Sequence, residues 1–250
     1  MKFLPFALLV AVTTFLSTGT SHAEGAKLGD LRSRLTKQTH KNDAGDTMPY
    51  RLFVPKDYDA KKKYPVILFL HGYGENGTDN NRQLLHADPL RFATDDVQAK
   101  NPCLLVAPQN RKGFWPGKSS RLAMEILDSL AKKYSIDANR RYVTGLSSGG
   151  MGTYYCLIER PDYFAAAVPI CGRADVSKAA SIAKIPVWGF CGGKDRGFAT
   201  KMRAMNEAVK KAGGEWKYTE YPGVGHNSWG RAYATEDLPK WLFSQSRSKK

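Results

Sequence analysis

Three residues that could act together in nucleophilic catalysis lie far apart in the sequence: Ser147, Asp195 and His226. A serine hydroxyl is a weak nucleophile at neutral pH, so a histidine has to take its proton as the new bond forms. A carboxylate then has to hold the imidazole in the correct tautomer and stabilise its charged form. We therefore predict acyl transfer through Ser147, with His226 as general base and Asp195 as its partner.

The residues around Ser147 predict a sharp turn between a strand and a helix. A β-prone run, Tyr142–Thr144, leads into a Gly-x-Ser-x-Gly pattern centred on Ser147, and the residues after it can begin a helix. Such a turn strains the serine backbone, and Gly145 and Gly149 remove the Cβ atoms that would collide with it. The pattern alone also fits an ordinary Gly/Ser-rich loop, so support has to come from elsewhere in the chain.

A second glycine-rich turn follows the continuous apolar run Tyr64–Leu70, which is typical of a buried strand in a parallel sheet. The turn begins with His71-Gly72-Tyr73-Gly74, where a backbone N–H could face the carbonyl oxygen of a substrate. We predict that the N–H groups of Tyr73 and Ser148 form an oxyanion hole. The alternative is an ordinary Gly-rich turn.

The acid and the base follow later apolar runs. Asp195 comes after the strand-like run Ile185–Cys191, and His226 lies in a Gly-rich loop near the end of the chain. Asp175, which follows the preceding predicted strand, is the alternative acid, and we favour Asp195. Each residue alone would be an ordinary loop residue, but a turn around Ser147 with acid and base in this order is far more specific.

Several side chains near these motifs are candidates for substrate contact. Phe114 and Trp115 lie in the loop 109–118, where their rings could stack on a sugar or an aromatic acyl group, or pack beneath the loop. We predict that Trp115, Trp229 and Glu75 bind substrate, with Tyr73 as a further contact at the rim.

Strands alternate with helices along most of the chain, which predicts an α/β fold with a mostly parallel sheet and helices on both faces. Little more than a short helix fits between Cys171 and Ile185, so we expect no large lid domain. We predict a helix-compatible segment over residues 79–100 and a turn over residues 136–140. The catalytic domain is expected to span residues 48–247.

The N-terminus predicts export. Lys2 precedes an apolar stretch over residues 4–16, and Ser21-His22-Ala23 fits a signal-peptidase site, so residues 1–23 form a predicted signal peptide. The alternative is an N-terminal membrane anchor, for which the apolar stretch is short. We expect a secreted or periplasmic protein. Residues 24–47 are polar and are expected to be poorly ordered, with residues 48–54 as an edge strand.

The chain is strongly basic, with 38 Lys and Arg against 23 Asp and Glu. Removing residues 1–23 removes one Lys and no acid, which leaves 37 minus 23, or +14. This charge could favour acidic polymers, anionic lipid surfaces or cell-wall material, or it could serve solubility alone. The basic residues do not alternate with aromatic ones, so no nucleic-acid partner is predicted.

The cysteines and histidines do not predict a metal site. The four cysteines, Cys103, Cys156, Cys171 and Cys191, show no Cys-x-x-Cys spacing, and the five histidines show no ligand spacing. An exported protein could form two disulfides from four cysteines, but three of these lie in apolar runs typical of buried thiols. Their pairing is left open, and no cofactor or metal is expected.

From about Met48 to Gln245 the chain resembles the α/β-hydrolase superfamily. The segments that carry the resemblance are residues 70–75, 145–152, 193–195 and 225–229. Within the superfamily it is most similar to single-domain secreted esterases of the phospholipase/carboxylesterase, feruloyl-esterase and polyhydroxybutyrate-depolymerase-like types, some described only as predicted peptidases. It departs from many relatives at residues 190–193, where they carry a His-Gly before the acid loop.

The resemblance implies a secreted serine ester hydrolase that acts on carboxylic esters of a polymer or of plant-derived material, without a cofactor. A serine peptidase or a phospholipase on the same three residues is an alternative. An acyl transferase, or a non-catalytic binding protein on a hydrolase scaffold, is also open. The sequence leaves the acyl group, the alcohol and the oligomeric state undetermined.

Overall fold

The computed structural model describes residues 30–249 and contains one eight-stranded sheet in the order β1-β2-β4-β3-β5-β6-β7-β8. The predicted signal peptide over residues 1–23 lies outside the described residues. The strands are β1 (Thr36–Lys41), β2 (Thr47–Phe53), β3 (Tyr64–Leu70), β4 (Leu104–Pro108), β5 (Ile136–Leu146), β6 (Ala166–Ile170), β7 (Trp188–Gly192) and β8 (Lys217–Tyr221). Within residues 30–249, no helix is both long and apolar enough to cross a bilayer.

Helices and short 3-10 turns connect the strands. The α-helices are α1 (Asp95–Lys100), α2 (Lys118–Ala131), α3 (Ser148–Glu159), α4 (Ala179–Ile182), α5 (Arg196–Lys211), α6 (Trp229–Tyr233) and α7 (Asp237–Ser244). The 3-10 turns are Leu31–Arg34, Tyr73–Glu75, Arg82–Leu84, Asp88–Ala93, Val176–Lys178 and Arg247–Lys249. Strands β3 to β8 pair in parallel, which confirms the predicted mostly parallel α/β sheet.

The middle of the sheet is the core of the molecule. Every residue of β3, β4, β6 and β7 is buried, as expected for parallel strands covered on both faces. Helix α2 buries one side through Leu122, Ile126 and Leu127, which repeat at helical spacing. This packing holds the carboxyl ends of the central strands in fixed relative positions.

The prediction that residues 24–47 are poorly ordered is wrong for the segment that contains β1. Strand β1 pairs antiparallel with β2 along its whole length, from Thr36 opposite Leu52 to Lys41 opposite Thr47. Its side chains are almost all exposed, so no hydrophobic alternation indicates it in the sequence. Backbone pairing forms this strand, and it moves β2 from the predicted edge to the interior of the sheet.

Two further expectations need correction. Only residues 95–100 of the predicted helical segment 79–100 form an α-helix, and two 3-10 turns precede it. At the start of the segment, Asp79 accepts the backbone N–H groups of Asn81 and Arg82, which favours a local turn. Residues 136–140, predicted as a turn, begin β5, where Ile136 pairs with Tyr64 before a register shift.

The expected absence of a lid between Cys171 and Ile185 is confirmed, since only a 3-10 turn and α4 lie there.

Candidate active site

Ser147, His226 and Asp195 meet at the carboxyl-terminal edge of the sheet. Ser147 lies between β5 and α3, Asp195 between β7 and α5, and His226 between β8 and α6. His226 Nε2 lies 2.8 Å from Ser147 Oγ, and His226 Nδ1 lies 2.6 Å from Asp195 Oδ2. A carboxylate only accepts hydrogen bonds, so Nδ1 carries the proton and Nε2 is free to accept the serine proton. The arrangement can therefore deprotonate Ser147.

The turn at Ser147 has the strained geometry that the sequence predicts. Ser147 has φ 54° and ψ −115°, a conformation that side-chain-bearing residues rarely adopt. A Cβ on Gly149 would lie 1.8 Å from the carbonyl oxygen of Leu70, and one on Gly145 would lie 2.4 Å from the carbonyl oxygen of Gly149. This confirms that both glycines are needed for steric reasons, because the backbones of β3 and α3 touch here.

The two residues predicted to form the oxyanion hole both begin a helical turn. Tyr73 is the first residue of the turn Tyr73–Glu75, and Ser148 is the first residue of α3. The first backbone N–H groups of a helix have no intrahelical acceptor, so both remain available to a ligand. Their contribution to catalysis stays a prediction.

The structure contradicts the prediction that Trp115 contacts substrate at the rim. Trp115 is completely buried, and its Nε1 donates a hydrogen bond to the carbonyl oxygen of His71 at 2.7 Å. Gly152 of α3 leaves room for the ring, since a Cβ there would lie 2.5 Å from Trp115 Cβ. Trp115 therefore packs beneath its loop and supports the turn after β3. This is the alternative that the sequence analysis gave for the ring.

The neighbouring ring of Phe114 lies outside instead. Phe114 and Tyr73 are each 56% exposed, and their ring centroids are 5.2 Å apart. The pair forms an exposed aromatic surface beside the turn whose N–H is predicted to bind the oxyanion. Periodicity could not decide which of two adjacent aromatic residues in a Gly-rich loop points outward.

The other predicted substrate contacts, Trp229 and Glu75, are joined by a residue that the sequence analysis missed, His86. Trp229 lies edge-on to His226, with ring centroids 5.7 Å apart, and its Nε1 donates to His86 Nδ1 at 3.2 Å. His86 Nε2 lies 3.5 Å from Glu75 Oε1. Glu75 is buried, and its role in binding substrate stays a prediction. His86 lies in an irregular segment, where no pattern singles it out.

The carboxylate and the imidazole of this second pair shift each other's pKa. The hydrogen bond to Glu75 is the largest cause that raises the pKa of His86, against an opposing effect of burial. Burial raises the pKa of Glu75, but the hydrogen bond and the charge of His86 lower that pKa overall. The pair therefore favours an ionised carboxylate beside the triad.

The buried His71, by contrast, is a structural histidine. Burial lowers its pKa to about 4, so its ring is neutral. Its Nε2 accepts the N–H of Asn110 at 2.9 Å, and its Nδ1 lies 2.6 Å from the carbonyl oxygen of Gly72. These bonds fix the turn that presents Tyr73.

The alternative acid, Asp175, does not face His226. Its carboxylate accepts the backbone N–H of Ser177 at 2.9 Å and so caps the 3-10 turn after β6. The structure brings Asp195 to the imidazole instead.

Cys171, at the end of β6, is a neighbour of the triad that the sequence analysis did not assign to the site. Its Sγ lies 3.1 Å from the carbonyl oxygen of His226 and 3.0 Å from Ser228 Oγ. The sulfur is the largest cause that raises the pKa of His226; burial lowers that pKa, and Asp195 raises it further. All four cysteines are free and buried.

Among residues 30–249, Cys171, Asp195 and His226 bring three possible metal-ligand atoms within 4.8 Å of one another. His226 Nδ1 already donates to Asp195 Oδ2 across 2.6 Å, so a metal ion would have to displace the hydrogen bond that orients the imidazole. The arrangement suits proton transfer better than metal binding.

Comparisons with known proteins show the family to which the chain belongs. Residues 42–242 match the model of a family described as "Putative esterase". A protein of Aspergillus flavus named "Probable feruloyl esterase C" is 25% identical over 230 residues, which cover 89% of this chain and 82% of the relative.

Two solved structures extend the comparison. A thermostable esterase is 37% identical with a TM-score of 0.84, over 86% of this chain and 64% of that chain. The feruloyl esterase module of Clostridium thermocellum in complex with sinapinate is 22% identical with a TM-score of 0.66, over 82% of this chain and 87% of that chain. At that identity the second likeness concerns the fold alone. Together they confirm the predicted α/β-hydrolase fold.

Proposed function

The chain belongs to this esterase family of carboxylic ester hydrolases, and on that premise we propose that it works as a serine hydrolase through Ser147. Ser147 Oγ attacks the ester carbonyl while His226 Nε2 takes its proton, and His226 then returns this proton to the leaving alcohol. Water, deprotonated by the same imidazole, releases the acid from Ser147. The observation that supports this most strongly is the pair of 2.8 and 2.6 Å contacts around His226.

The N–H groups of Tyr73 and Ser148 are proposed to bind the negative oxygen of the tetrahedral intermediate. Each donor of this kind is worth about 10²- to 10³-fold in rate, because it is already oriented when charge develops. Trp115 and His71 contribute by holding the turn that carries Tyr73, through the 2.7 Å bond between the indole and the His71 carbonyl.

The substrate is proposed to be an ester on plant-derived or polymeric material. The named feruloyl esterase relative supports this, as does the exposed aromatic pair of Tyr73 and Phe114, on which a planar acyl group or a sugar could stack. Glu75 and His86 are proposed to act indirectly, by holding Trp229 beside His226. Export to the periplasm or the medium, directed by residues 1–23, belongs to the same proposal.

Hydrolysis of p-nitrophenyl acetate and methyl ferulate tests the proposal. The full chain is compared with Ser147→Ala and with Ser181→Ala, a control serine whose hydroxyl bonds to Lys178 on an exposed turn. We expect Ser147→Ala to lose about 10⁴-fold or more in kcat, while Ser181→Ala keeps full activity. Undiminished hydrolysis by Ser147→Ala would contradict the proposal. Activity on peptides but not on either ester would move the assignment to a serine peptidase.

A further inference from the structure

A groove of about 1050 Å³ opens at the edge of the sheet opposite to Ser147. Tyr64, at the start of β3, lines it, whereas Leu70, at the end of β3, contacts the turn around Ser147. Six residue steps along the strand separate Tyr64 from Leu70, or about 20 Å at ~3.3 Å per step. The groove is therefore separate from the proposed catalytic site. Its volume exceeds that of most small-molecule pockets, which suits a segment of a longer ligand.

The charge of this groove is strongly positive. Six cationic and two acidic side chains line it, for a net charge of 6 minus 2, or +4. The charged residues are Arg34, Lys56, Lys62, Lys63, Lys100 and Arg140, with Asp57 and Asp95. The groove concentrates, at one edge of the molecule, part of a chain charge of +15.

The arginines and the lysines of the groove differ in what they bind. Arg34 pairs with Asp95 at 2.6 Å, and Arg140 pairs with Asp137 at 2.7 Å. The four lysines are exposed and make no ion pair with any of residues 30–249. The available cations are therefore compact ammonium groups, each able to meet one anionic group of a ligand.

The chemistry of the lining favours one class of polyanion. Nucleic acids are bound by arginine forks and by exposed aromatic rings that stack on bases. Here both arginines are engaged, and Phe53 and Tyr64 are buried in the core. What remains is a set of exposed ammonium groups around one half-buried ring, Phe243, and these ammonium groups can meet carboxylates spaced along a carbohydrate chain.

We propose that the groove lined by Lys56, Lys62, Lys63 and Lys100 binds an acidic polysaccharide, one whose sugar units carry carboxylates. Binding holds the catalytic edge close to esters on the same polymer, which raises their effective concentration at Ser147. The tethering role rests on the proposed function, but the binding itself requires no catalysis.

The binding experiment uses the catalytically inactive Ser147→Ala chain, so that the polymer stays intact. Polygalacturonate is the acidic polymer and dextran the neutral one, in co-sedimentation at low and high NaCl. The groove variant changes Lys56, Lys62, Lys63 and Lys100 to Glu. A control variant changes four exposed lysines outside the lining, Lys37, Lys41, Lys201 and Lys210, to Glu, so that both variants have the same net charge.

We expect Ser147→Ala to bind polygalacturonate but not dextran, with binding that weakens as salt screens the lysines. The groove variant should lose about tenfold or more in affinity, and the control variant less than about threefold. Equal losses in the two variants would overturn the proposal, since net charge alone would then explain binding. Absence of binding by Ser147→Ala, or preference for anionic vesicles or single-stranded DNA over polygalacturonate, would also overturn it.

Folding and the proposed function are checked separately. The four Lys→Glu substitutions are repeated in a chain with Ser147 intact, and a second variant of that chain carries Lys→Gln at the same four positions. Hydrolysis of p-nitrophenyl acetate by both variants reports whether they fold. Binding that survives in Ser147→Ala while the intact chain hydrolyses no ester would contradict the proposed function and leave the groove assignment standing. A hydrolytically active chain that binds no polygalacturonate would contradict the groove assignment alone.

Discussion

The two edges of the central sheet are built in different ways. At the carboxyl-terminal edge, contacts of 2.6 and 2.8 Å join three side chains, and backbones approach so closely that a single Cβ on Gly149 would collide. At the opposite edge, exposed lysines line a wide groove and make no ion pair with an acid among residues 30–249. Short contacts hold the side chains of the first region in place, whereas the second region presents exposed charge that salt can screen.

This difference follows from strand direction. Parallel strands end together, and the turns that leave them meet at one edge, where tight turns and helix N-termini supply oriented donors. The residues that precede the strands meet at the other edge, where no donor has to be oriented toward a reacting atom. We therefore expect small changes to be severe at the first edge and to be tolerated at the second.

The largest effect is expected for Asp195→Asn. The amide cannot hold the imidazole in the required tautomer, so kcat should fall about 10⁴-fold. Asp175→Asn is the matched control, because that carboxylate only caps an exposed turn. Steady-state kinetics on p-nitrophenyl acetate compares the two. A comparable loss of kcat in both variants would contradict the assignment of Asp195 as the carboxylate that orients His226.

Gly149→Ala tests the backbone contact. The added Cβ would lie 1.8 Å from the Leu70 carbonyl oxygen, so β3 and α3 would have to separate. We expect a loss of stability of about 3 kcal/mol or more, together with loss of activity.

Gly197→Ala provides the control for this substitution. Gly197 lies in the first turn of α5, and a Cβ there meets no atom within 4 Å. The helix should gain up to about 1 kcal/mol. Thermal unfolding of both variants measures the contrast, and a Gly149→Ala chain as stable as the parent would refute the close approach.

The pH dependence tests the neighbourhood of His226. The raised pKa keeps the imidazole protonated to a higher pH than usual, and only the neutral ring can act as base. Activity should therefore rise with pH through a pKa above the ordinary value. Cys171→Ser removes the largest raising cause, so the rising limb of kcat/KM should move to lower pH.

Cys103→Ser is the control for the pH experiment, because that thiol is buried beside Gln98, just before β4. Its pH profile should match that of the parent. If the rising limb of kcat/KM lay at the same pH in Cys171→Ser as in the parent, the sulfur would have no influence on the pKa of His226.

The smallest effect is expected at the opposite edge. Replacing the four groove lysines by Glu should change kcat/KM for p-nitrophenyl acetate by less than about twofold, since the groove lies about 20 Å along β3 from the turn around Ser147 and exposed charges are screened over about 10 Å. A large loss in a folded variant would show that the two edges are not independent.

The sequence predicted those parts of the site that depend on local backbone rules. The glycines around Ser147 and the order of acid and base follow from steric and chemical requirements, and they pointed to Ser147, Asp195 and His226. Trp115 was misassigned because adjacent aromatic residues in a loop have no periodicity to orient them. His86 and Cys171 were missed because their importance comes from contacts across the fold, with Trp229 and with the His226 loop.

The same distinction holds for the fold. Strands β3 and β4 are apolar throughout and could be read directly. Strand β1 could not be, because its exposed side chains leave only backbone hydrogen bonds to define it.

The most direct test of the account is to trap the covalent intermediate. The chain is mixed with excess p-nitrophenyl acetate, the first turnover is followed by rapid mixing, and quenched protein is digested for mass spectrometry. We predict a burst of about one p-nitrophenolate per chain and an acetyl group on Ser147. Acetyl on Cys171, whose sulfur lies beside the same histidine, or turnover with no acyl-enzyme at all, would contradict the assignment of Ser147 as nucleophile.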